Sequence, residues 1–228
     1  MDTSESFSEQ LAETARSMQG RPSTQLTLDQ AVLAAPEIIQ GCDLVGISIV
    51  HRDGVDTPAG SSEALSRIDE LQFTLKEGPC YDALHTHEIV RSDDLAHDER
   101  WPRWGPMVAK ELGVVCIVSY RLFTTEHTLG ALNLYSLQAD AFDADDIANG
   151  EALAAHLGVA VAASQHAEHL EVAMVNRTAI GRAEGILMER FDISPEHAFA
   201  VLRRVSQKRN VKLNRVADEL VRTRVTPK

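Results

Sequence analysis

Apolar positions along the chain recur either every three to four residues or in unbroken runs, and the two patterns predict different elements. The first pattern predicts helices over residues 6–18 and between Leu65 and Leu75. The second predicts strands over Leu44–Val50, Val114–Phe123 and Thr128–Ser136. An Asp-Gly pair soon follows the first strand, and four residues separate the other two, as in β-hairpins. Strands joined by hairpins and flanked by helices predict an α+β domain with a mainly antiparallel sheet.

Capping and helix-breaking residues predict where two of these helices begin and end. Thr27-Leu-Asp-Gln30 has the form of a capping box, which predicts that a helix begins at Thr27. Pro36 lies further along the same helix and is expected to kink or divide it, because proline lacks the N–H that a helix needs. Glu77-Gly-Pro79 is expected to end the helix that contains Leu65 and Leu75.

The stretch Asp143–Arg190 contains no proline, and Ala, Leu and Val dominate its first half. A single helix over it would be about 70 Å long at 1.5 Å per residue. Such a helix cannot bury its apolar side alone, so we expect it to pair with its copy in a second subunit as a homodimer. The heptad spacing is interrupted after Ala163 by a mostly polar run.

Two further helices are predicted after the long one. Ser194 can cap a helix, Pro195 suits its first position, and Glu196 meets the positive end of its dipole. A break over Asn210–Leu213 then precedes a last run of helical spacing. Together with the end of the long helix, these segments predict an all-α C-terminal unit of three helices.

Charge is divided unevenly along the 228 residues, whose formal net charge is −12. Residues 177–228 hold 12 of the 22 Lys and Arg side chains but only six of the 34 Asp and Glu. The basic C-terminal segment therefore predicts an anionic partner there and none for the acidic remainder. The alternative is a basic face that is merely solvated.

Three cysteines, Cys42, Cys80 and Cys116, are odd in number and far apart, which argues against a disulfide framework and a Cys-x-x-Cys zinc site. We expect buried thiols in a reduced compartment. Cys80 follows Gly-Pro, so the alternative there is a reactive thiol at a helix start, where the dipole lowers the thiol pKa.

Histidines near Cys80 in sequence suggest a metal site only superficially. His85 and His87 diverge on a strand or a helix, so they rarely share one ion, and His97 is ten residues further on. We predict neither a metal site nor a cofactor.

No apolar run reaches the roughly 18 residues of a membrane helix, and the polar N-terminus is unlike a signal peptide. A cytoplasmic protein without a membrane partner is expected.

Arg177–Met188 and the spacing of the residues after it resemble the ANTAR domain, an RNA-binding three-helix module of bacterial transcription antitermination regulators. The resemblance covers residues 170–222. The later positions that carry it are Ala198, Phe199, Leu202, Arg203, Ser206, Asn210, Leu213, Val216 and Ala217. Glu184 stands where the family often has Lys or Gln, so it adds a negative charge near the expected RNA face.

RNA binding needs cations for phosphates and amide groups for unstacked bases. We expect Asn210 to supply the amide, and we prefer Arg203 to Arg204 because it lies opposite the apolar face of its helix. The predicted phosphate ligands are Arg177, Arg182, Arg203, Lys208, Arg209, Lys212 and Arg215. The alternative is that about half of these side chains serve solubility alone.

Two glycines, Gly181 and Gly185, fall inside the long helix, where each costs roughly 1 kcal/mol relative to Ala. Being four residues apart, they lie on one stripe of the helix. We expect the second and third helices to pack closely on this stripe. An RNA loop can also approach the backbone there, and we expect Arg182 beside it to face the ligand.

Residues 26–165 resemble a GAF domain, a small-molecule sensor commonly joined to ANTAR. The segments that carry this resemblance are Gln72–Ala83 and Leu129–Ser136. It implies a small-molecule ligand of unassigned identity. We therefore expect a helical extension over 1–25, a GAF domain over 26–165 and an ANTAR domain over 166–228.

The resemblances together imply a signal-responsive regulator rather than an enzyme. Its ANTAR modules would bind stem-loops of a nascent transcript, exclude the terminator hairpin and let transcription continue. One alternative is a GAF-type thiol enzyme that uses Cys80, and another is a signalling scaffold that binds no RNA.

Overall fold

The computed structural model of the chain describes residues 7–21, 23–86, 89–125 and 127–225. Its internal contacts separate two compact units, one ending at Gln165 and the other beginning at His166. Helix α6, Ala144–Phe191, contributes residues to both units.

A five-stranded antiparallel sheet forms the middle of the N-terminal unit, in the order β2-β1-β5-β4-β3. The strands are β1 Leu44–His51, β2 Gly54–Gly60, β3 Val90–Ser92, β4 Cys116–Phe123 and β5 Thr128–Ser136. Both predicted hairpins are present, β1–β2 and β4–β5. The predicted α+β class is confirmed.

Helices cover both faces of this sheet, because neighbouring residues of a strand point to opposite sides. On β5, Leu132 and Leu134 enter a core shared with α1, α2 and α6, whereas Tyr135 enters a core shared with α3, α4 and α5. The helices of this unit that precede α6 are α1 Phe7–Met18, α2 Thr24–Ile38, α3 Glu63–Leu75, α4 Pro79–Thr86 and α5 Trp104–Leu112.

Helix α2 differs from the sequence prediction in where it begins and in the effect of Pro36. It begins at Thr24, because the hydroxyl of Ser23 accepts the N–H of Leu26 at 3.3 Å and caps the first turn. Thr27 is instead buried, and its hydroxyl donates to the Ser23 carbonyl. Pro36 does not divide the helix, since the helix ends two residues later at Ile38 and a proline so near the end disturbs only its last turn.

Helix α6 is the single long helix that the absence of proline predicted, with 48 residues and a length of about 70 Å. Asp143 caps its N-terminus, because Oδ1 of Asp143 accepts the N–H groups of Asp145 and Asp146 at 2.8 and 2.9 Å. Gly150 has a packing role, since a Cβ there would overlap the Tyr120 hydroxyl.

The C-terminal unit packs the last part of α6 against α7 Pro195–Arg209 and α8 Leu213–Thr223. Its core consists of buried Ala and aliphatic side chains from all three helices: Ala183, Leu187, Ala198, Leu202, Val205, Val216, Ala217 and Leu220. Ser194 caps α7 as predicted. Val201 of α7 lies outside this core and is exposed. Among the described residues, no helix is long and apolar enough to cross a bilayer.

Candidate nucleic-acid interface

The side of α6 that carries the two glycines faces away from the three-helix core. Ala183 and Leu187 are fully buried, and Gly181 and Gly185 each lie about 160° around the helix from Ala183. A Cβ added at either glycine would meet no atom within 4 Å. The prediction that α7 and α8 pack on this stripe is therefore wrong, because those helices pack on the opposite side. The glycines leave open backbone on the surface of the unit.

All eight predicted RNA-binding residues are exposed. Arg177 and Arg182 lie on α6, Arg203 and Lys208 on α7, and Arg215 on α8. Exposure does not distinguish Arg203 from Arg204, since both are solvent-accessible. The unit therefore presents cationic side chains from each of its three helices.

Arg209 differs from the other cations because it already has an anionic partner. Its Nη1 lies 2.8 Å from Oε2 of Glu219, so α7 and α8 are joined by an ion pair. Both side chains are more than one-third exposed, and such a surface pair contributes little to stability. An RNA phosphate would have to compete with Glu219 for this guanidinium.

Asn210 ends α7 in the left-handed conformation, with φ of 50°. Its backbone N–H donates to the carbonyls of Ser206 and Gln207, and asparagine tolerates this conformation better than most residues. Within the described part of the chain, its exposed side chain forms no hydrogen bond. The left-handed end of α7 thus explains why asparagine occupies position 210, and it leaves the side-chain amide accessible.

A pair of asparagines that the sequence analysis did not single out joins α8 to α6. Nδ2 of Asn214 donates to Oδ1 of Asn176 at 2.7 Å, and Oδ1 of Asn214 accepts the N–H of Arg215. Arg177 follows Asn176, so the pair holds two predicted phosphate ligands on adjoining stretches of backbone. No sequence spacing indicated the pair, since 38 residues separate its members.

Glu184 lies next to the buried Ala183 and is partly buried. Among the described residues it forms no ion pair that would neutralise its carboxylate. At 100° per residue it lies about 160° around α6 from Arg182 but about 60° from Gly181, so its charge is nearer to the glycine side than to Arg182.

The environment of Cys80 is unsuited to a reactive thiol. Cys80 is fully buried, and its N–H donates to Oε1 of Gln72 at 2.9 Å. Burial, together with the nearby Asp69, raises the pKa of its thiol to about 12. The alternative of a helix-start thiol with a lowered pKa is thus wrong. Cys42 and Cys116 are also free and buried, as predicted.

Nearby histidines form no metal site in the described part of the chain, where no three His, Cys, Asp or Glu side chains converge suitably. Nδ1 of His85 contacts the carbonyl of Tyr81. His97 pairs with Asp94 on the surface. His87 lies outside the described residues.

Comparison with protein families divides the chain into two matched regions. Residues 23–162 match the GAF domain model, and residues 168–221 match the ANTAR domain model. No curated protein sequence is similar enough to the chain to count as a relative.

Solved structures similar to this chain share its N-terminal fold. The GAF domain of the Acinetobacter phosphoenolpyruvate-protein phosphotransferase is 15% identical, with a TM-score of 0.58 over 73% of this chain and 99% of that one. The corresponding Coxiella burnetii domain is 16% identical, with a TM-score of 0.60 over 72% and 96%. Free methionine-R-sulfoxide reductase from Neisseria meningitidis, in complex with its substrate, is 17% identical, with a TM-score of 0.53 over 71% and 91%. At these identities the similarity establishes the fold alone.

Proposed function

The chain belongs to the GAF domain family and carries a C-terminal ANTAR domain, and on this premise we propose that it is a signal-responsive transcription antitermination regulator. The ANTAR domain binds stem-loop RNA in a nascent transcript. By stabilising that RNA form, it excludes the terminator hairpin, and transcription continues.

The observation that carries the proposal is the exposure of all eight candidate RNA ligands on the three-helix unit. Phosphates are bound by Arg and Lys, and these contacts fix the register of the RNA without reading its sequence. Arg177, Arg182, Arg203, Lys208, Lys212 and Arg215 take this role. Asn210 reads base edges, because an amide can both donate and accept a hydrogen bond.

The open backbone at Gly181 and Gly185 supports a close approach of RNA beside Arg182. A side chain there would hold the ligand away from the helix by its own thickness. RNA binding then explains why α6 keeps two glycines that lower its stability, since packing within the unit does not require them.

We propose a homodimer that forms through the first half of α6. Opposite the buried Leu157, this helix presents Ala148, Ala152, Ala155 and Val159, spaced three or four residues apart. Small residues at such spacing allow two helices to approach closely, and Val159 is 66% exposed. The dimer presents two ANTAR domains to paired stem-loops.

The GAF domain supplies the input as a sensor of a small-molecule ligand. The Neisseria meningitidis reductase supports this role, because a protein of the same fold holds a small substrate. The buried Cys80 favours a sensor over a thiol enzyme, since a thiol whose pKa is about 12 is not ionised at neutral pH.

A salt titration of RNA binding tests the proposal. A two-hairpin RNA should bind more tightly than a duplex of equal length, with an affinity that falls steeply as salt rises, because phosphate contacts release counterions. Arg182→Ala and Lys208→Ala should each weaken binding and lower the salt slope by about 0.7–0.9. Asn210→Ala should instead change the preference among loop sequences.

Arg52→Ala is the matched control, because Arg52 is exposed but lies in the β1–β2 turn of the GAF domain. It should leave both affinity and slope unchanged. Equal affinity for hairpins and duplex, with no effect of Arg182→Ala or Lys208→Ala, would refute RNA recognition and favour a signalling scaffold.

A further inference from the structure

The interior of the GAF domain contains a carboxyl group that the proposed function does not use. Asp69 of α3 is fully buried, and its Oδ1 accepts hydrogen bonds from the Tyr135 hydroxyl and from Nε2 of Gln72, the latter at 3.0 Å. Its Oδ2 accepts Nδ2 of Asn133 at 3.3 Å, and Oδ1 of Asn133 accepts the Ser119 hydroxyl. These contacts join α3 to β4 and β5.

The same network extends to α4 and requires two glycines. Oε1 of Gln72 accepts the N–H of Cys80 in the first turn of α4, so Asp69 and Gln72 together connect both helices to the sheet. A Cβ at Gly46 of β1 would overlap Oδ2 of Asp69, and one at Gly78 would overlap the Gln72 amide. The backbone is therefore shaped to admit a polar side chain into the core.

No cation accompanies this carboxyl group. Asp69 takes part in no ion pair within the described residues. The titratable groups around it are Tyr135 of β5, Cys80 of α4 and Glu70 of α3 itself. The other packed elements contact α3 through the uncharged Gly46 of β1, Gly60 of β2 and Trp104 of α5. One surface ion pair adds to these contacts, in which Glu111 of α5 pairs with the exposed Arg67 of α3.

Burial raises the pKa of Asp69 to about 7, although the hydrogen bonds from Tyr135, Asn133 and Gln72 act to lower it. Burial also raises the pKa of Tyr135 well above 10 and that of Cys80 to about 12. Both groups therefore stay neutral near physiological pH. Asp69 is the member of this cluster whose charge changes there.

We propose that the Asp69 cluster makes the GAF domain responsive to protons, ionisation of Asp69 loosening α3 and α4 from the sheet. A charged carboxylate in this cation-free interior is stabilised only by three neutral donors, so its ionised form favours a more hydrated arrangement. The opening involves α3 and α4, because the contacts of Asp69 and Gln72 hold these two helices to the sheet.

The sign of the pH dependence follows from proton binding. The folded domain keeps the Asp69 proton to about pH 7, whereas the unfolded chain releases it near the ordinary value of 3.8. The contribution of Asp69 to stability is therefore lost as pH rises from about 4 to about 7 and changes no further above that.

Thermal unfolding of the full-length protein, followed by fluorescence of Trp101 and Trp104 in this domain, tests the proposal between pH 5 and 8.5. The Tm of wild type relative to that of Asp69→Asn should fall by about 5 °C over this range. Asp53→Asn, an exposed residue of the β1–β2 turn, should follow wild type. Hydrogen exchange corrected for its intrinsic pH dependence should show α3 and α4 opening more at pH 8.5 in wild type than in Asp69→Asn.

The Tyr135→Phe variant tests whether Asp69 titrates in the folded domain or only contributes to its packing. This variant keeps the packing but removes a donor to the ionised Asp69 carboxylate, so the midpoint of its pH profile should lie at a higher pH than that of wild type. If Asp69→Asn does not fold, the infrared carboxylic-acid signal of wild type still reports the titration, and Tyr135→Phe should shift its midpoint. The proposal is overturned by parallel pH profiles for wild type and Asp69→Asn, or by a carboxylic-acid signal that does not change between pH 5 and 8.5.

Discussion

Replacing the two exposed glycines of α6 by alanine should separate the stability of the C-terminal unit from its binding function. Gly181→Ala and Gly185→Ala place methyl groups where the structure has no atom within 4 Å, so neither substitution introduces a clash. Both glycines lie inside α6, more than one helical turn from its end at Phe191. The change in the free energy of unfolding therefore reflects only the lower backbone entropy of alanine in the unfolded chain and its higher helix propensity.

Each substitution should stabilise the helix by about 0.5–1 kcal/mol, and the double variant by about 1–2 kcal/mol. That gain corresponds to roughly a 5- to 30-fold increase in the folded-to-unfolded ratio of the unit. The same methyl groups cover the open backbone, so the double variant should bind the two-hairpin RNA more weakly than wild type.

The assay compares two probes in the full-length protein. Hydrogen exchange at the buried Leu202 and Val205 follows the C-terminal unit, whereas fluorescence of Trp101 and Trp104 follows the GAF domain. Protection of the first pair should rise in the double variant while the fluorescence transition stays unchanged.

Gly150→Ala is the contrasting control, because its Cβ would overlap the Tyr120 hydroxyl and should destabilise the GAF domain. A loss of protection in the Gly181→Ala, Gly185→Ala variant would show that the stripe is packed in solution. Unchanged RNA affinity in a stabilised variant would refute a close approach of RNA to this backbone.

Three further predictions address the thiol, the dimer and the unusual acidic residue. Cys80→Ser should cost about 1–2 kcal/mol of stability, measured by chemical denaturation, and should leave RNA binding in the salt titration intact. A thiol-dependent turnover that this substitution abolishes would instead support the enzyme interpretation. Val159→Glu should convert a dimer into a monomer in sedimentation at micromolar concentration, because two charges would meet at the helix seam, and a wild-type protein that is already monomeric would exclude the seam. Glu184→Lys should tighten RNA binding and steepen the salt slope, whereas Glu184→Gln should tighten it less; no change in either variant would place this position away from the RNA.

Local signals predicted most of the secondary structure, because the residues that determine it are close together in sequence. The Asp-Gly turn after β1, the absence of proline over α6 and the Ser194-Pro195 start of α7 each produced the expected element. The error at α2 came from competition between two nearby caps. Ser23 caps the helix, whereas Thr27 is buried one turn further along, where its hydroxyl donates to the Ser23 carbonyl.

The candidate sites were less accessible to sequence reasoning, since long-range packing decides which face of a helix is covered. Gly181 and Gly185 looked like packing residues, but the core forms around Ala183 and Leu187 on the other side. The Asp69 cluster was missed entirely, because Asn133 lies 64 residues away from Asp69 in sequence. A buried carboxylate at helical spacing is indistinguishable from a solvated one until the strands are in place.

The order of strands in the GAF domain has a consequence for how the chain folds during synthesis. Strand β1 pairs on one side with β5, and Leu44 lies opposite Tyr135, about 90 residues later. The sheet therefore cannot close until β5 has left the ribosome, and its loop-closure entropy predicts slow folding. In the ANTAR domain, by contrast, connections of three residues join α6 to α7 and α7 to α8, so its contacts are local and should form far faster. When the denatured protein refolds, the RNA-binding domain is thus expected to reach its native structure while the sensor domain is still completing its sheet.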